Sequence, residues 1–131
     1  MKIKKVIIIF FILSSTLTRA EVLWTYDSLT KTLTFSGEER ILYSLDVNLS
    51  PWDSLRLSTR KIVIQDGVEI IGNHAFSEFE NLYEISLPAT LKEIGFGAFE
   101  KCKSLRFIDI PISVTDISGR VFAVNSFFAV L

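Results

Sequence analysis

The second half of the chain repeats with a period of 23 residues, and no other property of the sequence constrains its fold as tightly. Aligning Ile64 with Leu87 and Ile110 superposes Ile71-Gly72 on Ile94-Gly95, Ala75-Phe76 on Ala98-Phe99, Leu82 on Leu105, and Ile85 on Ile108. A third window in the same register places Val114, Ile117, Val121, Phe122, Phe128 and Leu131 at the apolar positions. Only Asn125, opposite Phe79 and Cys102, breaks that pattern. A unit this short cannot bury its own apolar face, so a fixed period in the twenties specifies a solenoid whose units stack to share one core. Such a fold presents surface rather than chemistry.

The first twenty residues are a separate object. Lys2, Lys4 and Lys5 form a basic start, Val6 to Leu13 an unbroken apolar run, and Thr18-Arg19-Ala20 a small-residue cleavage site. That order specifies a secretory signal peptide over residues 1–20. A membrane span takes about 20 apolar residues, and Ser14, Ser15 and Thr16 interrupt the run well before that length. No stable membrane span is therefore expected after cleavage.

The leader carries four of the 14 basic residues and none of the 15 acidic ones, so residues 21–131 have a net charge of about −5. A mildly acidic domain with no basic run along its sequence excludes nucleic acid as an expected partner. Its length suits one domain with a modest core. Cys102 is the sole cysteine, which excludes an intramolecular disulfide framework despite the oxidising compartment.

Before the repeats, Val22-Leu23-Trp24-Thr25-Tyr26, a polar turn at Asp27-Ser28, and Thr32-Leu33-Thr34-Phe35-Ser36-Gly37 predict a β-hairpin with Leu33 and Phe35 on its buried face. Extending the repeat register backwards fails, because Asn48, Asp53, Arg56 and Thr59 would occupy core slots. Residues 21–60 are accordingly expected to cap the first open face of the solenoid. Ser50-Pro51-Trp52-Asp53 predicts a short helix from Pro51 to about Leu57, capped by the Ser50 hydroxyl, that lays Trp52 and Leu55 against the first repeat.

Within each repeat, Ile62-Val63-Ile64, Ile85-Ser86-Leu87 and Ile108-Asp109-Ile110 read as short strands of a narrow parallel sheet. Asp66-Gly67, Pro88 and Pro111 end them. Gly72 and Gly95 are then expected to turn the backbone into one or two helical turns carrying Ala75-Phe76 and Ala98-Phe99. Ser118-Gly119 in the third repeat predicts a one-residue slip of that turn.

The run from Leu82-Tyr83-Glu84-Ile85-Ser86-Leu87-Pro88 through Leu91-Lys92-Glu93-Ile94-Gly95-Phe96-Gly97-Ala98-Phe99-Glu100-Lys101-Cys102 resembles the BspA-like, treponemal-type leucine-rich repeat. Trp24-Thr25-Tyr26-Asp27, Thr32-Leu33-Thr34-Phe35-Ser36-Gly37 and Pro51-Trp52-Asp53-Ser54-Leu55-Arg56 resemble the leader module of such proteins. The resemblance implies a short α/β, right-handed solenoid of about three 23-residue repeats over residues 61–131, the last incomplete, made of parallel strands plus short helical turns. It further implies a secreted or cell-surface protein similar to adhesins that bind matrix or plasma proteins or other microbial cells. Ser118, Val121 and Asn125 depart from the family pattern.

No phosphate loop, nucleophile elbow or zinc motif is present, so no catalytic, cofactor or metal residue is assigned and no enzyme activity is expected. His74, the lone histidine, aligns with Gly97 and Arg120 and reads as a solvent-facing slot that tolerates any residue, with Glu78 a surface neighbour one helical turn on. Cys102 aligns with Phe79 and reads as a small buried hydrophobe, the alternative being a reactive or intermolecularly paired thiol. Glu38-Glu39, Glu78, Glu80 and Glu84 read as solvated charge, the alternative being calcium binding, and Asn48-Leu49-Ser50 fits a glycosylation acceptor relevant only in a eukaryotic host, with Ser50 better used as a helix cap.

The expected function is a non-enzymatic module that binds an extracellular protein or glycan, on host matrix or another cell, through the exposed sheet. Its ligand-binding residues would be Lys61, Val63, Glu84, Ser86, Arg106, Phe107 and Asp109, with Gln65, Pro88 and Pro111 also outward and Tyr83 near the edge. Alternatively the chain is the structural cap and first repeats of a longer surface protein with no ligand of its own. Leu131 falls on the first core position of a fourth strand, so the Ile108-Asp109-Ile110 edge is expected to lie open and to favour self-association through the C-terminal end. N-terminal sequencing of the exported protein should begin at Glu21; recovery of the full-length chain in the membrane fraction would instead indicate a retained anchor.

Overall fold

The computed structural model describes residues 22–41, 50–125 and 129–130. The leader, Asn48, Phe128 and Leu131 lie outside the described residues. Strands β1 (Leu23–Asp27) and β2 (Thr32–Ser36) form the expected antiparallel hairpin, Trp24 opposite Phe35 and Tyr26 opposite Leu33. The Asp27 carboxylate closes its turn by accepting from the backbone N–H of Leu29 at 2.9 Å. Alternation then does the rest: Trp24, Tyr26, Leu33 and Phe35 all point inward and are buried.

Three further features organise the repeats. β2 pairs in parallel with β4 (Lys61–Ile64), and β4 with β6 (Glu84–Ser86), completing a four-stranded sheet in the order β1-β2-β4-β6. A second sheet, unanticipated from the sequence, runs β3 (Glu39–Ile41), β5 (Val68–Ile71), β7 (Glu93–Ile94) and β9 (Asp116–Ile117), all parallel. The sequence predicted only turns here, because β7 and β9, of two residues each, leave no alternation to read. Its Ile71, Ile94 and Ile117 stand opposite one another. Ile71 and Ile94 are fully buried, whereas Ile117, on the last strand of the sheet, is 51% exposed.

The third side carries Ala75-Phe76, Ala98-Phe99 and Val121-Phe122, and here the expected helical turns are absent. Among the described residues the one helical element is a single 3-10 turn, Asp53–Leu55, which replaces the helix expected over residues 51–57. It has no side-chain cap; the Asp53 N–H is accepted by the Ser50 carbonyl, not the hydroxyl. In the repeats a helix is blocked by left-handed residues: His74, Gly97 and Arg120 have φ of 54°, 61° and 59°, and Glu78, Lys101 and Val124 have 64°, 59° and 63°. Both sets recur at the 23-residue period. A residue at such φ turns the backbone out of the helical path. The freed N–H groups bond across repeats instead, Phe76 N to Ala98 O at 2.9 Å, Glu78 N to Glu100 O at 2.8 Å and Phe99 N to Val121 O at 3.0 Å. His74 therefore does not occupy a slot indifferent to residue type.

Gly95 is required for closeness rather than for φ: a Cβ there would lie 2.6 Å from the Asn73 backbone nitrogen and 2.7 Å from Asn73 Oδ1. Asn73 Oδ1 accepts the Phe96 N–H at 2.8 Å, tying the two repeats at the same point.

The third repeat keeps register through Val124, since Gly97 N donates to Gly119 O at 3.1 Å and Arg120 and Val124 retain the left-handed conformation. The slip expected at Ser118 does not occur. One residue is instead lost after Val124, so that Val130, not Leu131, stands opposite Ile108 in the parallel pair of β8 (Phe107–Ile108) with β10 (Ala129–Val130). Of the Ile108-Asp109-Ile110 edge expected to lie open, Ile108 is thus paired.

The core follows the stacking. Phe76 and Phe99 stack at 5.6 Å between ring centroids and Phe99 and Phe122 at 6.1 Å. Phe99 is fully buried at the middle of that column. Phe99→Ala should cost about 3–5 kcal/mol in urea or guanidinium melts, while Ile112→Ala, at a fully exposed side chain, should cost under about 0.5 kcal/mol.

Candidate ligand-binding face

The exposed side of the first sheet is built by alternate residues of each strand, the others facing the core. Lys61 and Val63 on β4 stand opposite Glu84 and Ser86 on β6. Lys61 Nζ lies 2.6 Å from Glu84 Oε1, so these two charges are already partnered to each other at the surface. Arg106, Phe107 and Asp109 continue the face around β8 and are exposed, Phe107 by 55%.

An open groove of about 1020 Å³ runs over this end of the sheet, lined among others by Glu84, Ser86, Arg106, Phe107 and Asp109. Five of the seven residues assigned from sequence are thereby brought together, and Lys61 and Val63 lie outside the groove. Of the other outward positions, Gln65 is exposed and Pro111 lines the groove, but Pro88 is buried. Strand β6 ends at Ser86, so strand alternation no longer sets the direction of residue 88. Tyr83, given only as an edge residue from sequence, is 52% exposed and lines the groove.

The remaining candidates are spent on structure. His74 lies beside Glu100, Nδ1 to Oε2 at 3.7 Å, rather than beside Glu78, and its ring meets Phe96 edge-on at 5.5 Å. Glu100 is 93% buried and also accepts from the Arg120 guanidinium. The sequence hid this arrangement because its three members come from successive repeats. The acidic series is paired as well: Glu78 with Lys101 at 3.0 Å and Arg56 at 3.1 Å, and Glu80 with Lys103 at 2.8 Å. The hydrogen bond from Lys101 holds the Glu78 carboxyl below its ordinary pKa. That stabilisation is present at neutral pH and is lost as acid protonates the folded-state carboxylate. Among the described residues no group of three His, Cys, Asp or Glu side chains could hold a metal ion, and no helix is long and apolar enough to cross a membrane.

Cys102 is fully buried, and its thiol donates to the Phe76 carbonyl at 3.2 Å. Burial pushes its pKa up to about 12, so almost no nucleophilic thiolate exists at neutral pH. In native protein the thiol should resist a maleimide or disulfide reagent over hours and react fully once the chain is unfolded in urea; fast native labelling would show that the third side of the stack opens.

Residues 55–129 match the family model described as BspA type leucine rich repeat region (6 copies). No curated protein matches the chain. Among solved structures, it is similar to a leucine-rich repeat protein of Eubacterium ventriosum (17% identity, TM-score 0.65, covering 83% of this chain and 34% of that one). It is similar to a leucine rich cell surface protein of Faecalibacterium prausnitzii (24% identity, TM-score 0.53, covering 78% and 29%). A leucine-rich repeat protein of Bacteroides capillosus is covered over 99% of its length, with 90% of this chain, 21% identity and a TM-score of 0.54. The chain spans about a third of the length of the first two structures. At these identities the likeness concerns the fold.

Proposed function

Since the chain belongs to the BspA-type leucine-rich repeat family, we propose that it is a non-enzymatic, secreted or cell-surface module that binds an extracellular protein or glycan through the exposed face of its first sheet. Residues 1–20 would be removed on export, residues 21–60 would cap a right-handed solenoid, and about three repeats would follow over residues 61–131. Support for the surface location comes from the leader and from the Faecalibacterium neighbour, a cell surface protein.

The observation that carries the proposal is the groove beside Phe107 and Arg106. Exposed aromatic and arginine side chains are the usual energetic anchors of a protein interface, and both of these line the groove. Phe107 cannot owe its position to the core, because more than half of it faces solvent. Glu84, Ser86 and Asp109 give the same groove hydrogen-bond acceptors and acidic charge, a mixture better suited to a macromolecular surface than to a small apolar ligand.

The double variant Phe107→Ala/Arg106→Ala should weaken binding to matrix protein, plasma protein or microbial cells by at least about tenfold while leaving the urea midpoint unchanged. If the unaltered protein binds none of these at micromolar concentration, the structural alternative, a cap and first repeats with no ligand of their own, takes its place.

A further inference from the structure

The 23-residue period that builds the core also stacks three residues immediately ahead of the strands: Arg60 before β4, Tyr83 before β6 and Arg106 before β8. The Tyr83 N–H bonds to the Arg60 carbonyl at 3.0 Å, which fixes the first two in register. All three side chains are exposed, and together with Asn81, Lys103 and Ser104 they line a cleft of about 400 Å³ at the edge of the larger groove.

The charge in this cleft is uncompensated. Lys103 is held by Glu80, but neither Arg60 nor Arg106 has an ion-pair partner among the described residues, whereas Arg56, Lys61, Lys92, Lys101 and Arg120 each have one. No acidic side chain lines the cleft. Arg60 and Tyr83 precede paired strands, which run ~4.8 Å apart, and Arg106 lines the same cleft beside Tyr83. A guanidinium presents a planar fork that matches a carboxylate or sulfate.

We propose that this cleft binds a linear polysaccharide carrying sulfate or carboxylate groups, one anionic group on each arginine and a sugar ring against Tyr83. The assignment rests on the binding role proposed above and names its ligand class. The lining favours a glycan over an acidic peptide. It contains no aliphatic side chain to receive a peptide's apolar residues, whereas Asn81, Ser104 and the Tyr83 hydroxyl offer donors and acceptors for sugar hydroxyls. Net attraction between an acidic protein and a polyanion is unfavourable overall, so binding must be local to the two arginines.

Binding of the purified protein to dextran sulfate, polygalacturonate, neutral dextran and polyglutamate, followed by calorimetry, tests this. Dextran sulfate or polygalacturonate should bind and neutral dextran should not, and which of the two binds distinguishes sulfate from carboxylate. Arg60→Gln and Arg106→Gln should each weaken binding at least about tenfold, and Tyr83→Ala should also weaken it. Arg40→Gln, an equal charge change on an exposed residue away from the cleft, should not. Equal losses in all three arginine variants, or preferential binding of polyglutamate, overturn the assignment. If matrix protein binds but neither anionic polysaccharide does, the glycan assignment falls and the binding role stands; if nothing binds, both fall.

Discussion

The backbone hydrogen bonds that join one repeat to the next on the third side of the stack are the constraint on which the rest depends. Six positions at two points of the period adopt a left-handed conformation, five of them without the glycine that makes it easy, at an intrinsic cost of about 1 kcal/mol each. That cost is offset because at His74, Glu78, Gly97 and Lys101 the redirected N–H meets a carbonyl of the next repeat. With the two sheets, each side of the stack carries backbone hydrogen bonds between units, except that β8 pairs with β10 rather than with β6.

This ladder sets the spacing at which side chains meet, and the core takes its form from it. Phe76, Phe99 and Phe122 fall on one line because their turns are hydrogen-bonded at a fixed step. The N-terminal segment joins the same line through Trp52, whose indole N–H donates to the Ala75 carbonyl at 2.9 Å and whose ring packs on Phe35 at 4.9 Å and Phe76 at 6.2 Å. Thr59, a polar residue in a core slot, is satisfied within its own turn by donating to the Leu55 carbonyl at 2.8 Å. The same step brings Arg60, Tyr83 and Arg106 together at the surface, so one period organises both the interior and this exposed edge.

Much of this was legible in the residues. The hairpin, its buried Leu33 and Phe35, the aromatic column, the buried Cys102 and the docking of Trp52 follow from alternation and from a period long enough to count. The second sheet did not, because strands such as Glu93–Ile94 are too short to show a pattern. The helical turns were misjudged because apolar spacing near Phe76 and Phe99 is compatible with a helix, and only the left-handed φ at His74 and Glu78 shows that the backbone bonds run between repeats. Five of the seven face residues read from the register line one groove, but the arrangement of their charges depends on which side chains pair across repeats, as Lys61 does with Glu84, and a one-dimensional register does not rank those pairings.

If stacking through the ladder and the aromatic column holds the N-terminal segment and the repeats as one unit, they must unfold together. The two tryptophans, Trp24 and Trp52, both sit in the N-terminal segment with ring centroids 6.3 Å apart, so their fluorescence reports that segment while far-UV circular dichroism reports mostly the repeats. Urea denaturation followed by both signals should give coincident midpoints and equal m-values. A tryptophan transition clearly ahead of the loss of sheet signal would show that the segment and the repeats are independent, and would contradict the account.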